Sequence, residues 1–222
     1  MKKIKIAIII NIIIFVLVVF GLIVGLAGIP FLGSSGRSKF SYLIKYFTVE
    51  SNLFMGITAL ALGINQILYL KNGTKINKVI FILKYVATVS VAITFFTVLF
   101  FLGPVVFRDR FLSMYQGVSF FYHLVVPVLS MLVFILFESS KDYNIHKVSF
   151  FGIIPFLIYA IFYVIAALTH MTNEKVEAGY DWYGFLSFGI PIFILLMFIM
   201  LGATYLISFL TLKLNKITYK EN

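Results

Sequence analysis

The sequence contains no cysteine and little charge. Without cysteine, the 222-residue chain can form no disulfide, no thiolate nucleophile and no thiolate metal site. Only 12% of its residues are charged whereas 62% are hydrophobic, and the mean hydropathy is +1.07. A water-soluble domain of this length cannot bury so much apolar surface in one core. The composition therefore predicts an integral membrane protein.

Acidic residues are also scarce, with 8 Asp and Glu against 18 Lys and Arg. Because the basic residues are spread between apolar runs, they suit loops beside anionic lipid, and we expect no nucleic-acid partner. The histidines show no metal-ligand pattern, since His123 and His146 are expected on opposite sides of the membrane. We therefore expect no metal site and no other cofactor.

Six apolar stretches are long enough to cross a membrane, because a helical span takes about 20 residues. The first stretch exceeds the roughly 7 to 15 apolar residues of a signal peptide, so it is kept as a helix. The connections are short and polar, which predicts a single all-α polytopic domain over residues 1–222. The six transmembrane helices are predicted at about 6–27, 48–70, 79–102, 118–137, 149–168 and 185–212.

Basic residues are distributed unequally between the two sides of this topology. The side that includes both termini carries Lys2, Lys3, Lys5, Lys71, Lys75, Lys78, Lys141, Lys147, Lys213, Lys216 and Lys220. The other side carries Arg37, Lys39, Lys45, Arg108, Arg110 and Lys175. Because Lys and Arg favour the cytoplasmic side, both termini are predicted to be cytoplasmic, in a multi-pass plasma-membrane protein. Lys84 lies inside the third span and is expected to extend its side chain to the interface.

Polar residues of the second predicted helix share one face. At about 100° per residue this face contains Thr48, Ser51, Asn52, Thr58, Asn65 and Gln66. Such a face should point into the bundle and away from lipid. Hydrogen bonds between helices explain it as well as a functional site does.

The fourth predicted helix repeats the pattern with one titratable group, His123. Ser119 lies one turn before it on the same face, and Pro127 follows four residues later. Because proline has no N–H, the carbonyl of His123 loses its helical partner and the helix is expected to bend. His123 is either a functional group or a packing histidine satisfied by a hydrogen bond.

Asp181, Trp182 and Tyr183 lie just before the sixth predicted span. Aromatic residues commonly anchor a protein at the membrane interface, and an acid favours a helix N-terminus. The alternative is that these residues cap a cavity between the starts of the second and fourth helices. Asp181 would then orient His123.

Three segments resemble the androgen-induced family of six-span membrane hydrolases. They are Lys45-Tyr46-Phe47-Thr48, His123 followed by Pro127, and Trp182-Tyr183-Gly184-Phe185. The segment Tyr46 to Asn52 also resembles a Tyr-Phe-Thr-x-x-Ser-Asn motif of bacterial six-span proteins. The resemblance implies an intramembrane threonine hydrolase that cleaves fatty acid esters of hydroxy fatty acids or a related lipid ester. It implies Thr48 as nucleophile and His123 as base.

An unactivated threonine hydroxyl needs such a base, and the ester needs a hydrogen-bond donor for its oxyanion. Asn52, one turn after Thr48, is the candidate donor, with Ser51 behind it; Ser119, Asp181, Trp182 and Tyr183 are further candidates for contacts with substrate. The expected partner is a membrane lipid or lipid ester. Two other functions fit the same residues: a small transporter or channel in which His123 relays protons, and a non-catalytic lipid-binding protein.

Overall fold

The computed structural model describes residues 1–33, 43–138, 143–172, 175–177 and 179–220. Within this part of the chain, six helices are long and apolar enough to cross a membrane. The predicted all-α, six-span architecture is confirmed, and the protein is a multi-pass membrane protein. We label these helices α1 (Lys2–Ala27), α2 (Phe47–Asn72), α3 (Lys78–Val106), α4 (Val118–Phe137), α5 (Ile145–Thr169) and α6 (Ile190–Thr218).

Several helix ends differ from the predicted spans. α3 continues beyond Leu102 as a π-helix over Val98–Val106, and α5 begins at Ile145 with a short segment, Ile145–Phe151, before its main part, Ile154–Thr169. The predicted start of the sixth span was wrong. Phe185–Phe188 forms a separate 3-10 turn, and Gly189, with a φ of 84°, interrupts the helical path before α6. Between α5 and α6, β1 (Met171–Thr172) pairs antiparallel with β2 (Lys175–Val176).

One end of the bundle contains a buried group of polar side chains, which we call the inner polar cluster: Asn11, Gln66, Lys84, Glu138 and Asn215. Asn11 Nδ2 donates to Glu138 Oε1 at 2.5 Å, and Lys84 Nζ lies 3.8 Å from Glu138 Oε2. Asn215 Nδ2 donates to the Phe134 and Glu138 carbonyls. The cluster joins the start of α1 to the ends of α2, α4 and α6. α1 and α3 therefore run in the direction opposite to α2, α4 and α6.

Lys84 does not reach the membrane interface, so the expectation that it would do so was wrong. Its side chain is 0% exposed and lies beside the carboxylate of Glu138. The physical reason is that a buried ammonium can be compensated by a buried acid instead of by water. Three residues that entered the charge comparison, Arg37, Lys39 and Lys141, lie outside the described residues. That the termini are cytoplasmic stays a prediction.

The polar face of α2 points into the bundle as predicted, because Ser51, Asn52, Thr58 and Gln66 are all buried. α1 approaches α4 closely at Gly21, where an added Cβ would lie 2.8 Å from Tyr122 Cε1. Tyr122 Oη donates to the Val18 carbonyl at 2.8 Å. This contact fixes the first turns of α4, on which His123 lies, against α1.

The segment between α3 and α4 contains a 3-10 helix, Arg108–Tyr115, that folds back onto α3 at Gly103. We expect Gly103→Ala to lower the free energy of unfolding by about 1 to 3 kcal/mol, because overpacking displaces neighbouring groups. The added Cβ would lie 2.3 Å from Phe111 Cδ2 and 2.8 Å from the Val98 carbonyl oxygen. Thermal unfolding in detergent measures the effect.

The matched control for this substitution is Gly202→Ala in α6. Among the described residues, no atom lies within 4 Å of the Cβ that it would add. Alanine there should leave stability unchanged or raise it slightly, because glycine costs backbone entropy in a helix. Equal destabilisation by both substitutions would contradict the packing of Phe111 on Gly103.

Candidate active site

A cavity of about 440 Å³, which we call the site cavity, lies where α2 and α4 begin. This volume is within the range of about 300–1,000 Å³ that is usual for small-molecule sites. Thr48 and His123 both line the cavity. The other lining residues are Gly21, Leu22, Gly25, Leu43, Tyr46, Val49, Leu102, Phe107, Met114, Val118, Ser119, Tyr122, Trp182 and Tyr183. The two residues that the resemblance pairs thus line one cavity, whose wall is formed by residues of α1, α2, α3 and α4 and of the segments between helices.

His123 is held by a backbone carbonyl. Its Nδ1 atom lies 2.6 Å from the carbonyl oxygen of Met114, in the 3-10 helix before α4. Because a carbonyl only accepts hydrogen bonds, Nδ1 carries the proton and Nε2 keeps the lone pair. This is the tautomer that a general base requires. Met114 was missed in the sequence, because a main-chain contact leaves no side-chain signal.

The helix around His123 is irregular, as the position of Pro127 predicts. Phe121–Val125 forms a π-helical turn, and the N–H of Val126 donates to the carbonyl of Phe121. The regular helix resumes over Val126–Phe137, with Pro127 in its first turn. Single π-helical turns often occur at functional sites. Here the turn is the segment of α4 that presents His123 to the cavity.

Thr48 is the second residue of α2, and its side chain borders two cavities. Besides the site cavity it lines a smaller one of about 30 Å³ among residues of α3, α5 and α6. The carbonyl of Thr48 accepts hydrogen bonds from Ser51 Oγ at 3.2 Å and Asn52 Nδ2 at 2.7 Å. These side chains therefore hold the main chain of the first turn of α2, on which Thr48 lies.

Asn52 and Ser51 lie behind Thr48 rather than at the cavity surface. Asn52 Nδ2 donates both to the Thr48 carbonyl and to the Tyr122 carbonyl, the latter at 3.1 Å. An amide has two N–H donors, so neither is left for an oxyanion. Ser51 Oγ lies 3.2 Å from Thr94 Oγ1. The structure gives these residues a different role from the predicted one: they join α2 to α4 and α3.

The loop before α6 is anchored by the residues that the sequence singled out. The Asp181 carboxylate accepts from the N–H groups of Phe185 and Leu186, each at 3.0 Å, and from the hydroxyl of Tyr163. Trp182 Nε1 donates to Tyr159 Oη at 2.7 Å. Asp181 thus caps the 3-10 turn, and the orienting role expected of it toward His123 belongs to the Met114 carbonyl. Trp182 is part of the cavity wall.

Tyr183 connects this loop to the start of α2. Its hydroxyl oxygen accepts from the Phe47 N–H at 3.0 Å. Burial raises the pKa of Tyr183 to about 12, and hydrogen bonds to Tyr159, Phe47 and Thr48 oppose that rise. The phenol therefore stays neutral near pH 7 and keeps a proton to donate. Tyr183 lines the site cavity together with Thr48.

The described wall of the site cavity carries no Asp, Glu, Lys or Arg side chain. His123 and three tyrosines are its titratable groups, and Ser119 adds a hydroxyl one turn before His123. A charged ligand group would lose its hydration there without gaining a counter-charge. The cavity therefore suits an uncharged, largely apolar ligand segment.

No protein-family model matches the chain, and no curated protein or solved structure is significantly similar to it. The resemblance to the androgen-induced family therefore stays a prediction from short motifs.

Replacing Tyr183 with phenylalanine is expected to destabilise the fold by about 1 to 3 kcal/mol, because the buried Phe47 N–H loses its acceptor. Thermal unfolding in detergent measures the loss. The matched control is Tyr180→Phe in the same loop, since the Tyr180 ring stacks on His170 and that contact survives loss of the hydroxyl. Equal unfolding temperatures of wild type and Tyr183→Phe would contradict a stabilising hydrogen bond between the Phe47 N–H and the Tyr183 hydroxyl.

Proposed function

We propose that this protein is an intramembrane hydrolase of lipid esters, with Thr48 as nucleophile and His123 as general base. The observation that supports it best is that Thr48 and His123 line one cavity, with the imidazole held at Nδ1 by the Met114 carbonyl. The resemblance of three short segments to the androgen-induced family also supports this proposal. Residence in the plasma membrane, which rests on the distribution of basic residues, belongs to the same proposal.

The reaction proceeds through an acyl-threonine ester. Thr48 Oγ1 attacks the carbonyl carbon of the substrate ester while His123 Nε2 takes the hydroxyl proton. The C–O bond to the alcohol breaks, and the imidazolium returns the proton to the leaving oxygen. Water then attacks the acyl-threonine, again with His123 as base, and releases the fatty acid and free Thr48.

The negative charge that develops on the carbonyl oxygen needs a donor, and Tyr183 takes this role in the proposal. Its phenol is neutral, and Tyr183 and Thr48 line the same cavity, which supports a donor role for this hydroxyl toward the ester carbonyl. Oxyanion donors act best where water is excluded. Ser119, which lines the same cavity one turn before His123, is proposed to contact the leaving alcohol.

The substrate is proposed to be a fatty acid ester of a hydroxy fatty acid or a related lipid ester. The aromatic and aliphatic wall of the site cavity suits acyl chains, and its lack of charged side chains in the described wall suits the uncharged ester. A lipid would enter from the bilayer, so the protein needs no soluble partner for substrate delivery.

The test is covalent labelling of the detergent-solubilised protein with a fluorophosphonate probe, followed by mass spectrometry. We expect an adduct on Thr48 that is lost in Thr48→Ala. Thr97→Ala is the matched control, because Thr97 lines the smaller cavity with Thr48 but not the site cavity. A folded protein that carries no adduct, but co-purifies with intact lipid, would favour the non-catalytic lipid-binding function.

One observation favours a second function, a small transporter or channel. The Lys84–Glu138 pair is fully buried among helices, and buried ionisable groups in membrane proteins often mark ion or proton paths. Proteoliposome flux that depended on His123 and Lys84 but not on Thr48 would support this function over hydrolysis.

A further inference from the structure

A second cavity, open to the surface, lies at the end of the bundle that holds the inner polar cluster. We call it the basic groove. It has a volume of about 530 Å³ and lies between the first turns of α5 and the last turns of α6. Its lining residues are Tyr143, Asn144, Ile145, His146, Phe209, Lys213 and Lys216. It shares no lining residue with the site cavity, so the two cavities can bind different ligands.

The groove is lined by two lysines, Lys213 and Lys216, and by three aromatic side chains, Tyr143, His146 and Phe209, which we call its floor. Lys213 and Lys216 are exposed and three residues apart, so they project from the same face of α6. Lys213 Nζ lies 5.9 Å from the centre of the Phe209 ring, and the centre of the His146 ring lies 5.5 Å from that of Phe209. The groove wall, as far as the structure describes it, contains no Asp or Glu. Such a set attracts an anion.

The floor of the groove is fixed rather than loosely packed. Tyr143 Oη donates to Asn215 Oδ1 at 2.7 Å, and Asn215 in turn donates to the Phe134 carbonyl at 2.6 Å. The aromatic floor is therefore tied to the buried end of α4. A preformed site binds its ligand at a lower entropic cost than one that must be ordered.

Below the groove, α5 and α6 present apolar side chains to the surroundings. Phe150 is 60% exposed, Leu206 is 55% exposed and Leu210 is 42% exposed. The groove thus lies where this apolar surface meets the charged end of the bundle, at the level of lipid headgroups. A ligand with an anionic head and an apolar tail satisfies both surfaces at once.

We propose that the basic groove binds the phosphate of an anionic phospholipid, with Lys213 and Lys216 at the phosphate, His146 beside it and the acyl chains along Leu206, Leu210 and Phe150. The proposal does not rest on hydrolysis at Thr48. Free phosphate is also an anion but has no acyl chains, so it would contact only Lys213, Lys216 and His146.

Native mass spectrometry of the detergent-purified full chain tests the proposal by titration with phosphatidylglycerol and phosphatidylcholine. The double variant Lys213→Gln/Lys216→Gln should bind phosphatidylglycerol roughly thirtyfold more weakly, since each lysine near anionic lipid contributes about a fivefold factor. Phosphatidylcholine binding should stay unchanged.

The matched control is Lys71→Gln/Lys75→Gln, which removes the same charge from exposed lysines beside the end of α2. It should keep the preference for phosphatidylglycerol. Equal loss in both double variants would overturn the proposal in favour of diffuse attraction. Equal binding of the two lipids to wild type would overturn it too, as would full competition by inorganic phosphate at the same concentration as the lipid. Thermal unfolding confirms that each variant is folded.

Discussion

Lys84→Met is expected to lower the free energy of unfolding by about 3 to 5 kcal/mol, which makes it among the most damaging single substitutions in the chain. Lys84 is fully buried, and the nearest acid, Glu138, is 3.8 Å away and equally buried. Methionine fills a similar volume but leaves the Glu138 carboxylate without a counter-charge. The carboxylate keeps only its hydrogen bond from Asn11. Unfolding by titration with a denaturing detergent measures the loss.

Two further variants separate charge compensation from packing. Glu138→Gln should be destabilising in the same way, because it leaves the ammonium unpaired. The double variant Lys84→Met/Glu138→Gln should be much more stable than the sum of the two single effects predicts. Lys78→Met, at the exposed first residue of α3, is the matched control and should be nearly neutral. Additive effects of Lys84→Met and Glu138→Gln would show that the two groups do not compensate each other.

The second large effect is expected at His123. His123→Ala should slow probe labelling of Thr48 by roughly 10²- to 10⁴-fold, the usual contribution of a general base. Adding imidazole to this variant should restore part of the rate, because the site cavity of about 440 Å³ has room for the ring. A merely structural histidine would show no such rescue. Thr48→Ser should still label, since it keeps a hydroxyl.

The control for the histidine is His170→Ala, which removes an imidazole from the loop after α5. Its labelling rate should match that of wild type. If His123→Ala labels Thr48 at the wild-type rate while folded, His123 is not the base. If His123→Ala fails to fold, His123→Gln is the second variant, because its amide keeps much of the side-chain volume and can donate to the Met114 carbonyl but cannot act as a base. Labelling of folded His123→Gln at the wild-type rate would then exclude His123 as the base.

The six spans could be predicted from sequence because the length and apolarity of each run are local properties. The inward direction of the α2 polar face followed from helical periodicity in the same way. The position of Lys84 could not, because its partner Glu138 is on another helix and only packing brings the two together. The interface was the natural prediction for a lysine viewed alone.

The candidate site, like the fold, could be predicted only in part from the sequence. The motifs pointed to Thr48 and His123, and both line one cavity. The structural role of Asn52 could not be predicted from the sequence, because it depends on the Tyr122 carbonyl, which accepts the second N–H of the Asn52 amide. The partner of His123 is a main-chain carbonyl, which any residue type at position 114 would supply equally well. Sequence therefore indicates which side chains take part, whereas their hydrogen-bond partners require the fold.

The cap that Tyr183 places on α2 has a consequence for biosynthesis. The free N–H groups at a helix start usually donate to a residue close by in the sequence. The acceptor of the Phe47 N–H is instead a hydroxyl 136 residues further on. Chains are made from the N-terminus, so α1 to α5 leave the ribosome before this acceptor exists. The nascent chain therefore carries Thr48 at an uncapped helix end through most of its synthesis. The hydrogen bond between Phe47 and Tyr183 forms only when the loop before the last helix has been made.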